Sequence, residues 1–315
     1  MRASLPILLG LLCTAAAASA QDANIARPVP ELEQRLASMP FEILSAEKAR
    51  GLRVDVALKA EVRFADGVEM RVKLRPANRG ATEFNNEPRY EGAAYVLQKA
   101  LFDEPDHVVP PTALRAMPRD ALSPHAKVAA TFGGKDVIVV AQYWLQKVAG
   151  PRDVWDPARF ASDRAYARHV ANLNVLTYLI KHGDSNPGNV MVSTDRATGR
   201  VFAVDNGIAF SSPTSDRGAL WREMRVPRVP AQTVERLRAF DLAKLDALLG
   251  TVATWQSRDG RLVPVPGHPR LPGVAGVRRR DGYVQLGLSQ RDIRDLDRRR
   301  LALLAMIDQG KLGTF

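Results

Sequence analysis

The chain has 315 residues, 46% of them hydrophobic and 25% charged, with a formal charge of +11 and one cysteine. That length buries a core in two lobes or domains without help, and the cysteine count excludes a disulfide-stapled scaffold. The basic balance favours anionic partners such as nucleotides, phosphates, acidic lipids or nucleic acid.

Residues 1–20 read as a cleavable leader. Arg2 gives a positive start, Leu5 to Leu12 an apolar run, and Ala18-Ser19-Ala20 a small-residue cleavage site before Gln21. A lipoprotein reading would begin the mature chain at Cys13, but Leu12 is too large for the small residue such processing needs. Cleavage removes the cysteine and leaves a charge of +10, since Arg2 is the only charged residue lost. No later stretch is apolar enough to span a bilayer, so a periplasmic or secreted protein is expected.

Glu31 to Ser38 reads as a short helix. Val54, Val56, Leu58, Val62 and Phe64 alternate as a strand, Ala65-Asp66-Gly67 makes a hairpin turn, and Val68, Met70, Val72 and Leu74 form the return strand. Glu69, Arg71, Lys73 and Arg75 occupy its other face. A helix follows from about Pro88 to Phe102, with Ala94, Leu97 and Leu101 on its buried stripe. Val137 to Ala141 is a buried strand, and Gln146 to Pro157 connects two lobes. Asp163 to Ile180 turns helical, a hairpin spans 190–204, and the remainder is mostly helical. Within it 257–281 reads as a Pro/Gly/Arg-rich loop, and Ser289 with Asp292 as the capping box of a last helix. The order suggests a small sheet-rich lobe, 21–145, before a mostly helical one, 146–315, with a cleft between them.

The octet His182-Gly183-Asp184-Ser185-Asn186-Pro187-Gly188-Asn189 is the most informative stretch. It sets an Asp and an Asn five residues apart in a tight turn, and the following hairpin delivers Asp205-Asn206-Gly207. Kinase-type phosphoryl transfer needs this layout: one carboxylate for the acceptor hydroxyl, an Asn and a second Asp for magnesium. The plain alternative is a surface turn, which uses the same residue types.

The pattern Asp184-x4-Asn189, hairpin, Asp205-x-Gly207 resembles the protein-kinase-like superfamily. The run Leu173 to Ile180 leading into Gly183-Asp184 is closest to its atypical branches, the phosphatidylinositol kinases and the secreted casein-phosphorylating kinases. The opening His-Gly-Asp also resembles aminoglycoside-type phosphotransferases. The resemblance implies an α+β, two-lobed kinase-like fold acting on ATP with Mg2+ or Mn2+. It implies Asp184 as catalytic base, Asn189 and Asp205 as metal ligands and Lys73 as phosphate-binding lysine. Glu91 becomes that lysine's helix partner, with Glu87 as rival, and backbone groups of the hinge candidate Gln142-Tyr143-Trp144-Leu145 meet the adenine, with buried aromatic packing the competing reading of Tyr143 and Trp144. A solvated strand face is the competing reading of Lys73, because Arg71 and Arg75 share it.

The chain departs from the family at three places. No Gly-x-Gly-x-x-Gly loop precedes the first strand pair, Ser185 and Asn186 replace Arg and His, and no Ala-Pro-Glu follows Asp205. Histidines 107, 125, 169, 182 and 268 have no metal-ligand spacing. The runs 278–280 and 298–300 lack the interleaved aromatics of a base-stacking surface, so nucleic acid is not the expected partner. The expected function is transfer of the γ-phosphoryl of a nucleoside triphosphate to a hydroxyl on a protein, glycan, lipid or small molecule. The alternatives are a catalytically inactive kinase-fold binding module and a basic nucleic-acid or envelope-binding protein.

Overall fold

The computed structural model describes residues 22–49, 56–83, 86–212 and 220–315. The expected leader and Val54 lie outside them. Helix α1 (Val29–Ala37) buries Leu32 and Leu36. Strands β1 (Phe41–Lys48), β2 (Leu58–Phe64) and β3 (Glu69–Pro76) form an antiparallel meander. Its β2–β3 turn is Asp66-Gly67, where glycine takes φ +83°. Helix α2 (Pro88–Leu101) crosses next, then β4 (Thr112–Pro118), the short helix α3 (Arg119–Leu122) and β5 (Asp136–Tyr143). The five strands form one sheet in the order β1-β2-β3-β5-β4.

Past β5 the chain lays down β6 (Val148–Ala149), α4 (Pro157–Ser162) and the long helix α5 (Arg164–Leu179). The hairpin β7 (Val190–Ser193) and β8 (Val201–Ala203) joins β6 in a three-stranded sheet. β9 (Arg228–Val229), α6 (Ala231–Ala239) and α7 (Leu242–Leu249) follow. Strands β10 (Ala253–Arg258), β11 (Arg261–Pro264), β12 (Val277–Arg280) and β13 (Tyr283–Leu286) make a second antiparallel sheet, ordered β11-β10-β13-β12. Helix α8 (Gln290–Asp308) has the expected Ser289/Asp292 capping box, and β14 (Gly313–Thr314) closes the chain against β9.

Sheet and helices are thus arranged as a kinase-like α+β fold, but the stretch read as a loop at 257–281 contains the end of β10 and the whole of β11 and β12. Its strands turn few residues inward: β11 buries only Leu262 and β12 only Arg278, so no apolar alternation betrays them. The β1 strand was also unforeseen, because it buries none of its residues fully, and β4 because it buries only its first residue and Met117.

Three apolar clusters hold the molecule. One face of the five-stranded sheet packs with α1 through Leu32, Leu36, Leu58, Val72, Leu74, Val137 and Val139. The second sheet adds Trp255, Val284 and Leu286 to Ile138 on the opposite side of β5. The largest cluster joins α5 to α8 and includes Tyr90, Ala93, Ala94, Leu97 and Leu101, so α2 belongs to the core of the helical lobe.

Polar anchors fix the same helix. Arg89 Nη1 donates to Asp292 Oδ2 at 2.7 Å and the Tyr90 hydroxyl to Asp292 Oδ1 at 3.1 Å, tying α2 to the start of α8. At the other end, residues 22–26 strap the connector between the lobes. Asn24 Nδ2 donates to the carbonyls of Gln146 and Lys147, and Asp22 pairs with Arg200 beside β8.

Candidate functional site

Alternation sends Arg71, Lys73 and Arg75 to one face of β3, and that face runs from solvent into the interior. Arg71 is exposed and pairs with Glu61, whereas the Arg75 side chain is 2% exposed. Glu91, in the first turn of α2, is buried beneath them. Its Oε1 lies 3.7 Å from Lys73 Nζ and 3.8 Å from Arg75 Nη1, and its Oε2 accepts the backbone N–H of Asn206 at 3.0 Å. Asp205 Oδ1 accepts from Arg75 Nη1 and lies 3.5 Å from Lys73 Nζ. Each acidic side chain therefore faces both cations. Glu87, the rival partner, is spent on Thr82 and Arg89.

Burial opposes ionisation of Asp205, but the charges of Lys73 and Arg75 outweigh it and hold the carboxyl well below the usual carboxylate range. Glu91 goes the other way: burial pushes its carboxyl up, and Lys73 and Arg75 only partly reverse that. Asp205 also has φ +60°, a left-handed conformation that side chains adopt at a cost. Its neighbours fix it there. The Val204 N–H donates to the Asn189 carbonyl at 2.8 Å, and the Asn206 N–H holds Glu91. The first of these bonds sets the two proposed metal ligands side by side.

The octet links α5 to β7. Asp184 is held through both oxygens: Asn186 Nδ2 donates to Oδ1 at 2.6 Å and Asn189 Nδ2 to Oδ2 at 3.1 Å. Asn189 Nδ2 also donates to the Asp184 carbonyl at 3.0 Å. With its nitrogen so engaged, the Asn189 amide oxygen accepts no hydrogen bond among the described residues. The residues that replace the family's Arg and His have local work of their own. Asn186 clamps the carboxylate, and the Ser185 hydroxyl meets His182 Nδ1 at 3.2 Å. His182 is wholly buried, and burial pushes its imidazole below the ordinary histidine range despite Asp184 and Asp205 nearby. Gly188 turns the chain at φ +101°, and Gly150 packs so closely that a Cβ there would lie 2.7 Å from the Gly188 nitrogen.

Gln142 and Tyr143 stand on the cleft wall at the end of β5, but much of their polarity is engaged elsewhere. Gln142 Nε2 donates to Thr112 Oγ1 at 2.8 Å. The Tyr143 N–H donates to the Pro111 carbonyl at 2.9 Å and its hydroxyl accepts from the Ala26 N–H at 3.2 Å. The Trp144 N–H donates to the Arg71 carbonyl. Leu145, which also lines the cleft, has the first backbone N–H in this stretch with no acceptor among the described residues. It is the last residue of the expected hinge, two residues past the end of β5, where ladder bonding stops.

Lys73, Arg75, Gln142, Asp184, Asn189 and Asp205 border one cleft of about 1100 Å³. Its walls carry Lys48, Lys59, Lys73, Arg75 and Lys147 against Glu47, Asp184 and Asp205, an excess of positive charge that suits an anionic occupant. Trp144, Met191, Val204 and Ile208 supply apolar surface. Among the described residues no three His, Cys, Asp or Glu side chains gather as a metal site. Asn189 and Asp205 are nonetheless hard oxygen donors, which suit Mg2+ or Mn2+ when phosphate oxygens complete the coordination.

A model of the phosphatidylinositol 3- and 4-kinase family matches residues 85–248, just over half of the chain. The chain belongs to this family. The matched segment contains Glu91, Asp184, Asn189 and Asp205, while Lys73 and Arg75 lie before it. Membership supports a kinase-like phosphotransferase with a nucleoside triphosphate as substrate. No curated protein matches the chain. Among the described residues no helix is long and apolar enough to cross a membrane.

Three of the six arginines in the basic runs noted in the sequence are tied into the fold. Arg278 and Arg300 are buried, and Arg278 donates to the Gly250 and Ala275 carbonyls. Arg300 Nη1 donates to the Leu237 carbonyl and Arg299 Nε to that of Leu179.

Proposed function

We propose that this protein is an ATP-dependent phosphotransferase of the periplasm or cell exterior, moving the γ-phosphoryl of a nucleoside triphosphate to a hydroxyl. The observation that carries the reading is the shared cleft. The carboxylate of Asp184, the amide of Asn189, the carboxylate of Asp205 and the ammonium of Lys73 come from three chain segments and border the same space. A turn chosen only for its local geometry would not bring them together.

In this reading the adenine takes a hydrogen bond from the Leu145 N–H and lies on Met191 and Trp144. Lys73 holds phosphate oxygens, with Glu91 fixing the ammonium. Asn189 and Asp205 would hold Mg2+ or Mn2+, which when bound neutralises charge on the phosphate oxygens. Asp184 accepts the hydrogen bond of the acceptor hydroxyl, aims its oxygen at the phosphorus and takes its proton as the new O–P bond forms and the bond from the γ-phosphorus to the bridging oxygen breaks, releasing the nucleoside diphosphate. The two amide clamps leave the Asp184 carboxylate one orientation, so the hydroxyl is aimed before reaction. The leader at 1–20 supports the compartment. The acceptor class is open: the family's name denotes a lipid, and the cleft is equally compatible with a sugar or a protein hydroxyl.

The test is incubation of residues 21–315 with Mg2+ or Mn2+ and triphosphate labelled separately at the γ and α phosphorus. Transfer of γ label to an acceptor, lost in Asp184→Ala, is the expected result. Movement of α label instead would replace phosphoryl by nucleotidyl transfer. No transfer from either, with nucleotide still bound, would make the protein a binding module.

A further inference from the structure

Arg75 has no part in the reading above, yet it is the most deeply buried cation of the site. It is also the closest partner of Asp205: Nη1 donates directly to Oδ1, whereas Lys73 Nζ stands off at 3.5 Å. The same guanidinium nitrogen lies 3.8 Å from Glu91 Oε1. A guanidinium is always charged and presents its donors in a fixed fork, so this contact cannot be relieved by loss of a proton. One oxygen of the Asp205 carboxylate, a group that suits a divalent cation, is therefore engaged by an internal cation.

We infer that Arg75 is a positioning residue that couples metal entry to phosphate entry, by occupying Asp205 until an anionic ligand draws the guanidinium away. The inference rests on the phosphotransferase reading of the cleft. A divalent ion entering alone would meet a carboxylate already neutralised and two fixed positive charges beside it. That repulsion acts at short range in a partly desolvated site, where it is far stronger than in water. A polyphosphate brings several negative charges to the Lys73/Arg75 face. It gives the guanidinium a bidentate partner of matching geometry and frees the Asp205 oxygen. Metal and nucleotide then each raise the affinity for the other by the same factor, as linkage requires.

The test is equilibrium dialysis of radiolabelled Mn2+ against the full mature chain, alone and with a non-hydrolysable nucleoside triphosphate. The proteins compared are wild type, Arg75→Gln and Arg75→Lys. Wild type alone should retain Mn2+ weakly and bind it at least about tenfold more tightly with the nucleotide. Arg75→Gln should bind Mn2+ alone at least about tenfold more tightly than wild type and lose most of the gain from nucleotide. Arg75→Lys, which keeps the charge, should stay near wild type. Equal Mn2+ affinity of wild type and folded Arg75→Gln overturns the inference, as does failure of both to retain Mn2+. Should Arg75→Gln not fold, wild type alone decides: Mn2+ retention unaffected by bound nucleotide overturns the inference, and a tenfold gain supports it. If no protein binds nucleotide, the phosphotransferase reading fails, while the difference in Mn2+ affinity still judges Arg75.

Discussion

Replacing Asp292 should destabilise the whole molecule, although it lies far along the chain from the proposed chemistry. Its side chain is 1% exposed and serves two elements at once. It accepts from Arg89 Nη1 at 2.7 Å and from the Tyr90 hydroxyl at 3.1 Å, both on α2. It also accepts from the Ser289 N–H at 2.9 Å and the Ser289 hydroxyl at 2.6 Å, closing the capping box of α8. Removing one partner of a buried ion pair costs roughly 3–5 kcal/mol. Here Glu87 Oε2 remains 2.9 Å from Arg89 Nε, so the lower end, about 3 kcal/mol, applies. Loss of the cap adds about 1 kcal/mol. Asp292→Ala should thus cost about 4 kcal/mol and lower Tm by roughly 8 °C. Asp292→Asn, which can still accept from Ser289, should cost about 3 kcal/mol. Circular dichroism during heating reads both. A fall in Tm of less than about 2 °C for Asp292→Ala would refute the claim that this carboxylate joins α2 to α8. The same group gives a pH signature. Burial opposes its ionisation, but Arg89 and the hydroxyls of Ser211 and Ser289 hold the carboxyl below the usual range. A carboxyl depressed in the folded state contributes stability above its unfolded value near 4, lost as pH falls through the native value. That component of acid sensitivity should vanish in Asp292→Asn.

Burial also pushes His107 and His169 down to about 4. Unfolded they take protons near pH 6.5, so stability should fall as pH drops from about 6.5 toward 4, and His169→Leu should flatten that decline in urea denaturation. Gly150→Ala would press a methyl group to 2.7 Å from the Gly188 nitrogen, so it should displace the Asp184 turn and cut kcat at least about tenfold, with a smaller change in nucleotide affinity. Asn174 Oδ1 accepts from the N–H groups of Arg225 and Val226, and its nitrogen donates to the Glu223 carbonyl. Asn174→Ala leaves these buried groups without partners and should cost roughly 2–3 kcal/mol by urea denaturation. Asp205→Ala should abolish magnesium-dependent nucleotide binding, whereas Asp184→Ala should leave binding nearly intact and remove turnover, as isothermal titration and the label assay would separate.

What the sequence disclosed was local. The Asp66-Gly67 turn, the Ser289/Asp292 cap and the buried run 137–141 each carry their signal within a few residues. The octet stands out because its polar residues are crowded into eight positions. Arg75 shows the opposite case. Its two-residue spacing from Lys73 is plain in the sequence, and that spacing by itself suits a solvated strand face. Only the approach of Glu91 and Asp205 from distant segments makes the inner end of that face an interior, and no stretch of sequence encodes that meeting. The second sheet escaped notice for a related reason. Strands that turn one residue inward get their order from neighbours, here from Ile138 and Trp255 across a shared core.

The place of α2 bears on how the enzyme could be controlled. A helix sunk in the larger lobe moves with that lobe, so breathing of the cleft carries the β3 ammonium and guanidinium past a stationary Glu91. Levering the helix outward would tear Tyr90, Ala94 and Leu97 from their packing. Control by a bound molecule is easier to exert on the β1–β3 meander, which is thin and open on one edge. Amide hydrogen exchange should show it: α2 protected as long as α5, and β1 exchanging first.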